Sequence, residues 1–180
     1  MAITKLIHMK ESSSKEKGKH LKNAVCYILN PEKTAGGLYM NSNCGCDANE
    51  IYQGMIQTKK QHGKTWGRQG YHFVISFAPG EATEETAFAV MQDFTDQYLK
   101  DEYDYVYVVH NDKEHIHGHL IFNSLSYSGY KYHYKEGQWK NEIQPVTDSI
   151  CRKYGLNGLL EKEIKPDVPI KNGNPGRMET

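Results

Sequence analysis

The spacing of apolar residues divides the chain into helical and extended segments that alternate. Apolar residues recur three or four positions apart, as on the buried face of a helix, in His20–Asn30, Ala48–Gln61, Thr83–Tyr98 and Pro145–Tyr154. Short apolar runs or two-residue alternation, typical of strands, occupy Met1–Met9, Leu38–Met40, Tyr71–Phe77, Tyr105–Val109 and Ile116–Phe122. This order predicts an α+β fold: a central antiparallel β-sheet with helices packed on it and a hairpin of the last two strands in its middle.

The composition is that of an ordinary folded domain. The chain has 180 residues, of which 38% are hydrophobic and 24% charged, which suits one domain with its own core. Residues 164–180 are rich in proline, glycine and asparagine and show no periodicity. We therefore expect one ordered domain over residues 1–163, followed by a flexible tail or the start of a linker.

The sequence shows no signal for export or membrane insertion. No apolar run approaches the ~20 residues of a membrane span, and the N-terminus lacks the apolar core of a signal peptide. The four cysteines form neither a CxxC pair nor a disulfide framework. A reducing cytoplasm is the expected location.

Charge is unevenly distributed although the formal net charge is zero. Residues 1–70 hold 11 Lys or Arg against 5 Asp or Glu, a net of +6, whereas residues 71–180 hold 11 against 17, a net of −6. This balance argues against a nucleic-acid binder that relies on charge alone. The basic half still permits a localised phosphate-binding surface.

Four of the nine histidines lie close together, at His110, His115, His117 and His119. The polar residues Asn111–Glu114 separate two apolar runs and predict a hairpin connection. Because alternate side chains of a strand share a face, pairing of the two strands sets His110 roughly opposite His117, with His115 and His119 on the same face. The pattern predicts that three imidazoles, those of His110, His117 and His119, converge.

A metal ion accounts for this cluster better than a purely structural role. A lone histidine on a strand is usually structural, but crowded imidazoles repel one another if protonated and need partners for their ring nitrogens if neutral. Three facing nitrogens with open positions form a site for a catalytic metal. We expect one divalent ion, Mn²⁺ or Mg²⁺, with Zn²⁺, Co²⁺ or Ni²⁺ as alternatives. His72 and Ser76 share a face of their strand and either support this site or form a buried polar pair.

Two further segments carry residues suited to binding a nucleic acid. The loop Gly63–Gly70 is basic and glycine-rich, which suits either phosphate binding or an ordinary surface loop. Tyr127–Trp139 is aromatic and basic and predicts a ribbon around Gly129 or Gly137. Side chains that can stack on bases or pair with phosphates are Lys64, Trp66, Arg68, Lys131 and Tyr132.

The histidine segment resembles two known patterns. His115–Ile121, HIHGHLI, resembles the histidine-triad nucleotide hydrolases, in which a histidine attacks phosphorus. The wider span His110–Asn123 resembles the HUH (His-hydrophobic-His) nucleases, which nick single-stranded DNA. Gly118 departs from the hydrophobic position that both patterns favour, so this segment alone leaves both open.

Three segments together carry a more specific resemblance. They are AVCYILNPEKT, which contains Tyr27, YHFVISFAPGE at Tyr71–Glu81, and HNDKEHIHGHLIFN at His110–Asn123. In order and spacing they resemble the relaxases, the mobilisation nucleases of conjugative elements in Gram-positive bacteria, within the HUH endonuclease superfamily. The resemblance covers roughly residues 1–160, and its third segment is the most specific.

The resemblance implies a set of site residues. The family's nucleophilic tyrosine matches Tyr27, although helix spacing alone places this residue at a core edge. The motif acid matches Asp112, either as a general base or as the partner that orients a histidine. The metal ligands match His110, His117 and His119. Supporting or DNA-contacting positions in the matching segments are Lys33, His115 and Asn123.

The resemblance also implies a function. It is that of a transesterase that nicks single-stranded or hairpin DNA at an origin of transfer through a 5′-phosphotyrosyl intermediate and can rejoin the strand. Such a domain starts the conjugative transfer of a plasmid or integrative element in the bacterial cytoplasm. Accessory DNA-processing proteins and a type IV secretion coupling protein are the implied partners.

Two alternatives differ in where the nucleophile lies. A rolling-circle replication initiator or transposase would share the metal site, but its tyrosine follows the histidines. The candidates for that arrangement are Tyr127, Tyr130, Tyr132 and Tyr134. A histidine-triad hydrolase would have no use for Tyr27 or His110.

Overall fold

A computed structural model describes residues 1–9 and 18–160. Within them lie five strands, β1 (Ile3–Ile7), β2 (Met40–Ser42), β3 (Gly70–Ser76), β4 (Tyr103–His110) and β5 (His117–Ser126). The α-helices in the same residues are α1 (Lys19–Ile28), α2 (Ala48–Gln61), α3 (Glu84–Leu99) and α4 (Gln144–Lys153). None of these helices has the length and apolar character needed to cross a membrane. The expected domain boundary at residue 163 and the tail at 164–180 lie outside the described residues.

The strands pair into one antiparallel sheet in the order β1-β3-β5-β4-β2. The predicted hairpin is formed by β4 and β5, and both strands are buried along their whole length. Helices cover both faces of the sheet, which explains why these central strands are buried on both sides. The predicted α+β fold is confirmed.

Each face of the sheet has its own core. Helices α3 and α4 cover one face through a cluster that includes Phe94 and Phe122. Helices α1 and α2 cover the other face through a cluster that includes Val25 and Ile121. Because consecutive strand residues point to opposite faces, the positions of Ile121 and Phe122 place His117 and His119 on the α1 and α2 face.

Helix α1 follows its apolar pattern closely. The predicted stripe of Leu21, Val25 and Ile28 is fully buried, and the helix stops before Pro31, as proline and its preceding residue disfavour helix continuation. Tyr27 falls outside this stripe and its side chain is 49% exposed. The helix therefore buries its apolar face and presents a tyrosine at its C-terminal end.

The ribbon predicted over Tyr127–Trp139 is reduced to one short antiparallel bridge in the described structure. The bridge joins Leu125 to Lys131, around a turn where Gly129 has a φ of 82°. Tyr132 packs against the core under α3 and α4. Part of the aromatic content of this segment therefore reflects packing against that core, whereas Tyr130 is exposed.

Helix α2 buries a lysine next to the sheet. Lys59 is fully buried, and its Nζ donates to the carbonyl oxygen of Met55 at 3.4 Å. The carboxylate of Asp104 faces it but accepts from Thr58 at 2.6 Å and from Asn123 at 2.8 Å. Burial lowers the pKa of Lys59 to about 7, although Asp104 opposes the shift. A large share of the amine is therefore neutral near pH 7.

We expect the Lys59→Met variant to be more stable than the parent near neutral pH, by roughly 1–3 kcal/mol, because methionine fills the same buried space without a polar amine to desolvate. The pKa of Lys59 falls from 10.5 to about 7 on folding, so the unfolded chain binds more protons between these values. Stability of the parent therefore rises with pH in this window, by at most about 1.4 kcal/mol per pH unit. Methionine contributes no such slope, and urea unfolding at about pH 7 and about pH 9 measures the difference.

The neighbouring exposed residue provides a control. Lys60→Met removes a solvent-exposed amine and should change neither the stability nor its slope with pH. A Lys59→Met variant that unfolds at lower urea than the parent near neutral pH would contradict the prediction, because the buried amine would then be net stabilising.

Candidate active site

The histidines lie at the loop end of the β4–β5 hairpin. His110 pairs with His117, and Val108 with His119, so the register predicted from the spacing is confirmed. The connection spans residues 111–116 and is longer than predicted. His115 therefore lies in the loop and not on the strand with His117.

Three imidazoles converge at this point. One ring nitrogen from each of His110, His117 and His119 lies within 4.8 Å of the other two. The ring centroids of His110 and His119 are 4.3 Å apart, and that of His117 lies 5.3 and 5.0 Å from them. All three side chains are buried. We call these residues the histidine cluster.

The outer nitrogen of each ring is held by a neighbouring group. The Nε2–H of His110 donates to the carbonyl oxygen of Ile28 at 2.7 Å, and the Nδ1–H of His117 donates to that of His115 at 3.3 Å. His119 Nδ1 lies 2.8 Å from His72 Nε2. With His119 donating in this bond, its Nε2 keeps a lone pair. Such bonds fix the tautomer and orientation of metal-binding histidines.

Two of the three inward nitrogens lack partners. His110 Nδ1 and His119 Nε2 are buried and form no hydrogen bond in the described structure. Burial lowers the pKa of His119 to about 2 and lowers the pKa values of His110 and His117 as well, so the rings are neutral near neutral pH. Neutral imidazoles with unpartnered nitrogens that face one another are suitable ligands for a divalent metal. The histidine cluster fits a metal centre.

Tyr27 lies directly against the histidine cluster. It is the second-to-last residue of α1, and its ring meets those of His110 and His119 edge-on at centroid distances of 6.3 and 6.2 Å. Its half-exposed side chain nevertheless leaves the phenol open to solvent. The geometry therefore joins an accessible hydroxyl to a buried set of metal ligands.

A cation and a carboxylate connect Tyr27 to the histidine cluster. Lys33 Nζ lies 4.3 Å from the centroid of the Tyr27 ring and 3.6 Å from Asp112 Oδ2. Asp112 Oδ1 in turn lies 3.7 Å from His117 Nε2. The backbone N–H of Asn111 donates to the Lys33 carbonyl oxygen at 3.1 Å, which fixes the turn after α1 to the hairpin. Tyr27 and Asp112 raise the pKa of Lys33, so it remains a cation.

A cavity of about 320 Å³ opens beside the histidine cluster and Tyr27. The rest of its polar lining consists of Lys5, His72, Ser76, Lys113 and His115. The predicted supporting residues of β3 therefore reach the cluster, His72 by a direct bond to His119 and Ser76 by its position opposite His117. We call this space the histidine cavity.

Two lysines of the histidine cavity were not predicted from the sequence. Lys5 lies between Ile3 and Ile7 on one face of β1, and Lys113 lies in the connection between β4 and β5. The two-residue alternation of β1 and the position of Lys113 between the histidines are signals that could have found them. Both add positive charge near a place where a phosphate would bind.

Four other predicted contacts gather at a second cavity. It lies where β3 begins, has a volume of about 310 Å³, and is lined by Trp66, Arg68, Lys131 and Tyr132 among others. None of these four lines the histidine cavity. The structure thus places these four basic and aromatic residues in a different cavity from the metal-binding histidines.

Two predicted nucleic-acid contacts have partners within the protein. Lys64 Nζ donates to the carbonyl oxygen of Gly129 at 2.6 Å and ties its loop to the turn after β5. Asn123 is fully buried, and its Nδ2 donates to the Met55 carbonyl oxygen at 2.9 Å and to Asp104 at 2.8 Å. Burial beneath α2 excludes Asn123 as a DNA contact, and its bonds instead hold α2 to the sheet.

Packing explains the glycine within the histidine motif. A Cβ atom at Gly118 would lie 2.2 Å from Sδ of Met91 on α3. Any side chain at this position would force Met91 to move. The apolar contact that a hydrophobic residue would make here is supplied by the facing helix.

Comparisons with known proteins agree with this arrangement. Residues 27–156 match the family model described as the nuclease domain of MobA/VirD2-like relaxases. Two Staphylococcus aureus proteins named protein rlx are 27% and 30% identical over 157 and 158 residues, each covering 87% of this chain and 45% and 44% of the relative.

A relative from another genus shows the same relationship. The group II intron-interrupted relaxase LtrB of Lactococcus lactis subsp. cremoris is 26% identical over 181 residues, covering 79% of this chain and 32% of the relative. The chain thus spans less than half the length of these curated relatives. The family match covers most of the chain, from Tyr27 through the histidine hairpin to the end of α4. The chain belongs to the MobA/VirD2-like relaxases and contains their nuclease domain.

Proposed function

We propose that this domain is a metal-dependent, site- and strand-specific DNA transesterase with Tyr27 as its nucleophile. It nicks single-stranded or hairpin DNA at an origin of transfer and rejoins it, and so starts the transfer of a conjugative plasmid or integrative element. The observation that carries the proposal is the contact of the half-exposed Tyr27 ring with two buried histidines of a cluster suited to a metal.

The cofactor of this proposal is one divalent cation held by His110, His117 and His119. When bound, it supplies a Lewis acid that offsets the charge of the scissile phosphate. Mn²⁺ or Mg²⁺ is our first choice, with Zn²⁺, Co²⁺ and Ni²⁺ as alternatives that imidazole ligands accept. His72 orients His119 through their direct hydrogen bond.

The chemistry assigned to Tyr27 is a balanced exchange of phosphate esters. The phenol oxygen loses its proton to solvent and attacks phosphorus, the bond from phosphorus to the 3′ oxygen breaks, and that oxygen leaves as a 3′-hydroxyl after taking up a proton. The 5′-phosphate remains on Tyr27 as an ester. Because the ester bond is exchanged and not hydrolysed, the 3′-hydroxyl can attack the phosphotyrosine and restore the strand.

Lys33 and Asp112 prepare the nucleophile in this scheme. Lys33 places a positive charge 4.3 Å from the Tyr27 ring centroid, where it offsets the negative charge that the phenol oxygen carries as it attacks or leaves. Asp112 contacts Lys33 and His117, and no hydrogen bond joins it to Tyr27 in the described structure. These contacts support Asp112 as the residue that positions Lys33 and argue against it as the general base.

We expect Lys33→Met to slow formation of the covalent DNA adduct by roughly a hundredfold, the usual cost of removing one group that stabilises charge in the transition state. Lys33→Arg keeps the charge and should recover part of the rate. Single-turnover rates at saturating DNA measure the effect separately from binding.

A second lysine stacked on a tyrosine gives a matched control. Lys22 Nζ lies 5.7 Å from the centroid of the Tyr52 ring, and neither residue lines the histidine cavity. Lys22→Met should leave the rate unchanged. Equal rates for Lys33→Met and the parent would remove Lys33 from the mechanism.

The positions of the tyrosines argue against the replication-initiator alternative. Among the described residues, Tyr27 is the one tyrosine that lines the histidine cavity. Tyr132 hydrogen-bonds to Tyr98 at 2.5 Å, and Tyr127 accepts from Asn43 at 3.1 Å. These contacts hold both downstream tyrosines away from the histidine cluster and support the relaxase order of residues.

An end-labelling experiment tests the proposed function. Single-stranded DNA from the region next to the gene, labelled at either end, is incubated with the protein and Mn²⁺ and run on a denaturing gel. We expect the 3′ label to move with the protein, the 5′ label to appear on a shorter free fragment, and EDTA to prevent both. Nucleotide hydrolysis without an adduct would support the histidine-triad alternative, and binding of every strand without cleavage would overturn the proposal.

The biological setting is part of the proposal. We place the reaction in the bacterial cytoplasm, with accessory DNA-processing proteins and a type IV secretion coupling protein as partners. The names of the matched proteins, protein rlx and relaxase LtrB, support a relaxase role. The rest of each relative, which this chain does not match, is where further partner contacts are expected.

A further inference from the structure

The second cavity has the composition of a nucleotide-binding site. It combines aromatic side chains, among them Trp66 and Tyr134, with the cations Arg68 and Lys131. No lining residue in the described part of the chain is acidic. This mixture is typical of proteins that stack bases on aromatic rings and pair phosphates with cations.

Trp66 is held as a platform. Lys131 Nζ lies 3.8 Å from the centroid of the Trp66 ring and donates to the Trp66 carbonyl oxygen at 2.5 Å. The Trp66 side chain is still 60% exposed. One face of the indole is therefore backed by a cation while the rest of the ring stays open to a ligand. A fixed ring loses little entropy when a base stacks on it.

Arg68 is fixed next to this platform. Its guanidinium carbon lies 5.2 Å from the centroid of the Tyr71 ring, and Nη1 donates to His8 Nδ1 at 3.3 Å. Neither partner is a carboxylate, so the charge of Arg68 is not neutralised by these contacts. A guanidinium with donors to spare is well suited to a phosphate.

We propose that the second cavity is a subsite for one nucleotide of single-stranded DNA, with the base stacked on Trp66 and its phosphate paired with Arg68. This inference rests on the proposed function for its ligand, since it extends the path of the same DNA strand away from the histidine cluster. Stacking on an indole tolerates any base, so the subsite adds affinity and not sequence recognition.

The position of the second cavity suits a continuous strand of DNA. His72 lines the histidine cavity while its neighbour Tyr71 lines the second one, and Ile7 and His8 divide in the same way. Because consecutive strand residues point to opposite faces of a sheet, the two cavities open on opposite faces beside the adjoining ends of β1 and β3. A strand whose phosphate lies at the histidine cluster would pass around these strand ends to reach Trp66.

Binding in the absence of chemistry tests the subsite. The chain carrying Tyr27→Phe is titrated without metal with a fluorescent single-stranded oligothymidylate, and affinity is measured by anisotropy at several salt concentrations. In the Tyr27→Phe chain, the additional change Trp66→Ala should weaken DNA binding about tenfold. It should not change the slope of log affinity against log salt concentration, because it removes stacking alone. Adding Arg68→Ala should reduce that slope by about 0.7, the contribution of one phosphate contact on a single strand.

Controls separate this subsite from general affinity and from the catalytic proposal. Tyr130→Ala removes an exposed aromatic ring outside both cavities and should leave affinity unchanged. Unchanged affinity for Trp66→Ala, or oligoglutamate that competes as well as oligothymidylate, would overturn the subsite. With Tyr27 intact, Trp66→Ala should still form the adduct at saturating DNA. If the parent chain formed no adduct at all, the proposed function would fail. The affinities measured without metal would still show whether the subsite binds DNA.

Discussion

Replacing Tyr27 with phenylalanine is expected to abolish the covalent DNA–protein adduct, with a fall in rate of at least roughly a thousandfold. Phenylalanine keeps the ring that packs against His110 and His119 but has no oxygen to attack phosphorus. Lys33, which hydrogen-bonds to the Tyr27 side chain, keeps its contact with Asp112 when the hydroxyl is removed. The variant should therefore fold and bind single-stranded DNA like the parent.

The measurement is the amount of labelled DNA that moves with the protein on a denaturing gel in the presence of Mn²⁺. Tyr130→Phe serves as the matched control, because Tyr130 is as exposed as Tyr27, at 57% against 49%, but does not line the histidine cavity. It should retain full adduct formation. An adduct that survives Tyr27→Phe and disappears with Tyr127→Phe or Tyr130→Phe would favour the replication-initiator order.

The double variant His117→Ala with His119→Ala is expected to lose metal-dependent nicking, again by at least roughly a thousandfold, or ~4 kcal/mol. It removes two of three nitrogens that lie within 4.8 Å of one another. One remaining imidazole cannot hold a divalent cation against water. The negative charge of the scissile phosphate is then no longer offset by a bound cation.

A binding measurement distinguishes loss of metal from loss of fold. Added Mn²⁺ or Ni²⁺ should raise the unfolding temperature of the parent, because the ion binds the folded state alone, and should not raise that of the double variant. His20→Ala, at an exposed position on α1, is the control and should behave like the parent in both assays. Undiminished nicking by a folded double variant would exclude the histidine cluster from the mechanism.

Local pattern predicted the elements of this fold because each element is encoded by a short stretch of sequence. The stripe of Leu21, Val25 and Ile28 needs only the period of a helix to be recognised, and the structure buries all three. The pairing of His110 with His117 needs only a hairpin of short connection, and the register confirms it. Prediction failed where one sequence pattern has two structural causes. Around Tyr132, alternating aromatic residues arise from packing against the core, and local sequence does not distinguish this from a strand.

The arrangement of the site depends on contacts between distant parts of the chain, which only the tertiary structure decided. Lys33 reaches Tyr27 and Asp112 because the turn after α1 is bonded to the hairpin through Asn111. His72 reaches His119 because β3 pairs with β5 in one particular register.

The same packing sorts residues that look alike in sequence. Asn123 is buried beneath α2, whereas Trp66 and Arg68 line a cavity of their own. From the sequence alone most donors, rings and cations of the site were visible, apart from Lys5 and Lys113. Which of them share a cavity was not, because a side chain's neighbours are set by how helices and strands far apart in the chain pack together.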